Sequence, residues 1–67
     1  MDYFIALTES NIERNAIIID KEDIKWRVGF RHPKWTNGWV ITNRKDSHHE
    51  RIIFPADMYM YDMVDNY

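Results

Sequence analysis

Three histidines, two serines and eleven carboxylates are the side chains of this 67-residue sequence to test first for chemistry. His48 and His49 are adjacent and Glu50 follows them. On an extended segment neighbours point to opposite sides, so the two imidazoles would not converge on one metal ion; a metal site would need a turn that brings them together, with His32 joining from another loop. Solvated turn histidines beside Asp46 and Glu50 are the expected reading, and no metal is expected. Ser47 next to His48 pairs a nucleophile with a base, yet adjacent residues rarely present their functional groups to each other. No nucleophile elbow and no His-Glu-x-x-His motif is present, and two glycines, Gly29 and Gly38, are too few for a phosphate-cradling loop. Nothing pairs Glu22, Asp23, Asp57 and Asp62 into an acid–base couple. The sequence therefore predicts a protein that is not an enzyme and needs no cofactor.

What remains is recognition chemistry. The stretch from Ile24 to Arg44 reads IKWRVGFRHPKWTNGWVITNR and holds all three tryptophans and most of the basic residues. Aromatic platforms beside cations suit two kinds of partner. Interface anchors favour Trp, Tyr and Arg, so a protein partner fits. Single-stranded nucleic acid is also held by stacking aromatics and a basic groove. The candidate contact residues are Lys25, Arg27 and Arg31 on one strand face and Lys34, Trp35 and Asn37 at a loop tip. Tyr59 and Tyr61 join them from a methionine-rich segment of the kind that adapts to partners.

Period-two patterning supplies the elements that position these residues. Ile24, Trp26, Val28 and Phe30 alternate with Lys25, Arg27, Gly29 and Arg31, the signature of a half-buried strand. The apolar set, Phe30 included, is assigned to the core. Asn37-Gly38 is a turn dipeptide that tolerates positive φ and leads into a strand at 39–43. Residues 2–8 read as a first strand with Tyr3, Ile5 and Leu7 on one face and Phe4, Ala6 and Thr8 on the other. Ser10 and Glu13 match a capping box for one helical turn. Ala16 to Ile19 is β-branched and strand-like, and Asp20 to Asp23 is a charged turn back into the strand at 24–31. Glu50 to Phe54 returns from the polar turn at 43–49, and Pro55 ends it. The tail is ambiguous. A turn at 55–57 followed by a strand at 58–64 is the favoured reading. Met60, Met63, Val64 and Tyr67 also fit helical spacing, so an α+β fold with a C-terminal helix at 56–67 is the alternative.

One domain spanning 1–67 follows from the length, and a chain this short is marginal in stability. The sequence has no cysteine, so neither a disulfide framework nor a Cys-based zinc site supports it. Five or six short strands predict an all-β fold, a small and strongly curved barrel or meander. The order of elements is similar to that of an SH3-like barrel, a likeness of topology alone. Charge runs acid–base–acid: about −4 over 1–24, +5 over 25–51 and −3 over 52–67, for a net −2. Pairing between neighbouring strands accounts for that layout, and a basic face for an acidic partner is the sharper alternative. No signal-like leader or membrane span is read, so the expected location is cytoplasmic. An apolar content of 45% leaves a homodimer open as well. The functional expectation is a small binding protein that modulates a larger protein partner through an aromatic and charged surface. A single-stranded nucleic-acid-binding barrel using the basic face of the 24–44 hairpin is the alternative.

Overall fold

In the computed structural model, residues 2–35 and 37–66 are described, with the backbone alone described for 2–4 and 65–66. The predicted faces of Tyr3 and Phe4, and Tyr67 of the helical spacing, lie outside the described side chains. Six strands form one antiparallel sheet: β1 (Asp2–Ala6), β2 (Ile17–Ile19), β3 (Lys25–Arg31), β4 (Trp39–Asn43), β5 (Glu50–Ile53) and β6 (Asp62–Asn66). Their order is β1-β6-β2-β3-β4-β5. The all-β expectation holds. Strands β2 to β5 form the expected meander of hairpins, but β6 inserts between β1 and β2. The sheet is not closed: β1 and β5 are its two edges, so the pairing does not complete a barrel.

Four adjacent strands supply the larger part of the core. Ile18, Trp26, Val28, Ile41 and Ile53 bury one face of β2 to β5. Connecting segments cover that face: Leu7 and Ile12 from the β1–β2 loop, Met58 and Tyr61 from the β5–β6 connection. The loop is fastened by Asn11 rather than by the predicted Ser10–Glu13 capping box. Its side chain accepts from the Thr8 N–H at 2.8 Å and donates to the Ala6 carbonyl at 2.9 Å.

The tail differs from both readings made of it. Residues Pro55–Met60 form a 3-10 helix, and the strand starts at Asp62 rather than at 58. Pro55 has no N–H to lose at a helix start, and its ring presets φ. The Asp57 N–H closes the first turn on the Phe54 carbonyl at 2.8 Å, and the Tyr61 N–H bonds the Met58 carbonyl at 3.0 Å. Met58 in the helix and Tyr61 just after it both bury in the core, and the strand that follows pairs with β1 and β2.

The feature that decides which side chains are available is a bulge in β3. Val28 pairs with Ile41, but Phe30 pairs with Val40, so Val28 and Gly29 together face one residue of β4. A Cβ on Gly29 would stand 3.0 Å from the Val40 carbonyl oxygen. The extra residue shifts the alternation by one, and everything beyond it changes face. Phe30 leaves the core, contrary to the simple parity reading, and is 47% exposed. Ile24 is exposed as well. It stands in the β2–β3 turn, where its N–H and C=O are both tied to Asp20.

Candidate functional site

Beyond the bulge the outward face of the sheet becomes apolar. Phe30, Val40 and Ile52 lie side by side on β3, β4 and β5. They floor an open cleft of about 550 Å³ whose other lining residues are His32, Pro33, Glu50 and Arg51. Val40 is buried there without belonging to the main core. The β3–β4 loop continues the patch. The His32 Nδ1 accepts from the backbone N–H groups of Lys34 and Trp35 at 3.1 and 3.2 Å, which folds the loop back on itself. The rings of His32 and Trp35 then lie 4.7 Å apart, the Trp35 ring meets Phe54 edge-on at 6.5 Å, and the Lys34 ammonium sits 5.4 Å from the indole. Trp35 keeps 48% of its surface open. Gly38 is needed here for space, not for positive φ: a Cβ would meet the Phe54 ring at 2.9 Å and Ile52 at 3.2 Å.

The predicted contact residues do not form one surface. Lys25 and Arg27 are exposed on the outward face of β3. Arg31 lies past the bulge, on the opposite side, with its guanidinium 5.3 Å from the Trp39 ring centre. Lys34, Trp35 and Asn37 are exposed in the loop beside Phe30. Tyr59 is 71% exposed on the 3-10 helix, whereas Tyr61 is a core residue. Lys25, Arg44 and Lys45 line a second cleft, but Asp23 and Asp46 line it too. Within the histidine doublet, the His49 ring packs edge-on against Trp26 at 5.2 Å. Among the described residues, no group of three His, Cys, Asp or Glu side chains could hold a metal ion.

One polar constellation was missed in the sequence. Asp20 Oδ1 accepts from the N–H groups of Glu22 and Ile24, and Oδ2 accepts from the Trp26 indole at 3.1 Å. Arg51 stacks its guanidinium 4.3 Å from the Trp26 ring centre, donates to the Tyr61 hydroxyl at 2.9 Å and stands 3.9 Å from Asp20. Burial on its own pushes the Asp20 carboxyl up. The donors from Ile24, Trp26 and Glu22 and the charge of Arg51 outweigh it, and the group lies below the usual carboxylate range. With every oxygen occupied, this constellation clamps the fold; it offers no free base. Comparison with protein-family models, curated proteins and solved structures found no match for this chain. Among the described residues, no helix is long and apolar enough to cross a membrane.

Proposed function

We propose that this chain is a non-enzymatic binding protein that modulates a larger protein partner through the Phe30–Trp35 surface. The observation that supports it is the bulge at Gly29. It turns a phenylalanine that simple alternation would bury out onto an exposed face, next to a loop that also exposes Trp35. Aromatic residues exposed together over an apolar floor are the usual anchors of protein interfaces. Charged residues surround this floor: Lys34 and Glu50 at its margins, Arg51 at its edge. The 3-10 helix between the last two strands supports reading the sheet as an SH3-like barrel left open between β1 and β5. A scaffold of that kind carries its contacts on loops and edges. The protein-partner reading is favoured over the nucleic-acid one because Arg31 stands on the opposite face from Lys25 and Arg27, and Asp23 and Asp46 share the cleft of Lys25, Arg44 and Lys45.

Pull-down from cells of the source organism tests the proposal. Wild type, Phe30→Ser and Trp35→Ala are compared with Lys25→Ala/Arg27→Ala, all checked for an unchanged melting profile. Loss of one defined protein in the first two variants and its retention in the third is the expected result. Loss only in the basic variant, with nucleic acid recovered from wild type, would overturn it.

A further inference from the structure

The β5 edge adjoins the proposed surface, and its hydrogen-bonding groups can be assigned from the register. The Asn43 N–H bonds the His49 carbonyl at 2.9 Å. Antiparallel pairs alternate between bonded and non-bonded, so Ile41–Arg51 and Trp39–Ile53 exchange bonds across β4 and β5. Glu50 and Ile52 therefore turn their N–H and C=O outward from the sheet. These are the same residues whose side chains line the Phe30–Val40 cleft. On the other face of the same edge the Arg51 side chain is 42% exposed, even though its Nη1 already donates to the Tyr61 hydroxyl and faces Asp20. The edge thus offers backbone donors and acceptors, an apolar trough on one side and a cation on the other.

We infer that β5 accepts an extended segment of a partner protein, added as a seventh strand, in which apolar residues alternate with acidic ones. This rests on the binding role proposed above and names the partner's chemistry. A strand laid beside Glu50–Ile53 sends alternate side chains to opposite faces. Those on the outward face lie over Ile52 and Val40 toward Phe30, where apolar groups fit and Glu50 repels an acid. Those on the other face meet Arg51, where an aspartate or glutamate gains a charge-assisted partner.

Charge also argues against a second copy as the occupant. Two β5 strands related by a twofold axis, bonded through both Glu50 and Ile52, would place Arg51 directly opposite its counterpart. Like charges facing each other across a strand pair are destabilising.

The probe is a capped ten-residue peptide alternating aspartate with valine and leucine, with its lysine counterpart as control. It is titrated into the isotope-labelled full chain, with amide exchange read at each residue. Slowed exchange at Glu50 and Ile52, with at least 10-fold weaker binding of the lysine peptide, is expected. Glu50→Pro removes one outward N–H without touching the bonds to β4, since proline is tolerated at the first residue of an edge strand. It should weaken the aspartate peptide about 10-fold or more, a loss of about 1.4 kcal/mol. Arg51→Gln also loses the contacts to Trp26, Tyr61 and Asp20, so it is read only with an unchanged amide spectrum away from β5, and it should then erase the preference for the acidic peptide. Equal binding to Glu50→Pro, or no protection at Glu50 and Ile52, overturns strand addition. Dimerisation of the chain alone that Glu50→Pro abolishes also overturns it, in favour of a second copy. If Phe30→Ser loses the cellular partner while Glu50→Pro keeps it, the binding role stands and this inference falls.

Discussion

At the scale of single residues, Asp20 ties a turn to the core indole and to a distant arginine. It holds the β2–β3 turn through two backbone donors, orients Trp26 and faces Arg51, which reaches Tyr61. Its folded pKa is depressed, so its contribution is present above the unfolded value, ordinarily 3.8, and is lost as pH falls through the folded value. Asp20→Asn keeps one acceptor for the turn but sets an amide N–H₂ against the indole N–H. It should cost about 1–3 kcal/mol at neutral pH and flatten the acid limb of stability, measured by urea unfolding at pH 7 and pH 3. None of this was legible in the sequence beyond a charged turn at 20–23. The turn is local, but Arg51 lies thirty-one positions away along the chain, and no local pattern reports such a contact. Tyr61 shows the same limit. Its alternation with Tyr59 gave no sign that one ring is buried and the other open.

At the scale of elements, β3 carries the main lesson. Period-two reading located the strand to within a residue and identified Trp26 and Val28 as core. It is blind to a one-residue slip. The available signal was Gly29 itself, since a glycine inside a strand often marks a bulge or a close backbone approach. Gly29→Ala presses a methyl group onto the Val40 carbonyl at 3.0 Å and should destabilise the fold by about 1–3 kcal/mol by thermal or urea unfolding. Phe30→Ser should cost less than about 1 kcal/mol, because its ring is nearly half exposed and packs outside the core. A large loss in Phe30→Ser would mean that Phe30 belongs to the core after all. The tail was misread for a different reason. Met58, Met60 and Asp62 alternate with Tyr59, Tyr61 and Met63 as in a strand, while Met60, Met63 and Val64 fall at helical spacing, and neither pattern carries the signature of a short 3-10 turn.

At the scale of the whole molecule, the hairpins were legible because each is closed by a short connection. The placement of β6 between β1 and β2 was not, since pairing between the ends of a chain leaves no local trace. The same topology leaves β5 as an edge beside the Phe30 cleft; it sets Arg31 on the face opposite Lys25 and Arg27, and it places Lys25, Arg44 and Lys45 in one cleft with Asp23 and Asp46. A continuous basic stripe would bind heparin with a steep salt dependence. This chain should elute from heparin at or below about 0.15 M salt, within the range where surface charges are already screened. Retention at much higher salt would restore the nucleic-acid reading. The most direct test of the protein-binding surface is photo-crosslinking in cells. A benzoylphenylalanine is placed at position 30 in one chain and at exposed position 24 in another. One discrete adduct from position 30, removed by protease and untouched by nuclease, and none from position 24, is the expected result. An adduct from position 30 that nuclease removes, or equal labelling from both positions, would contradict it.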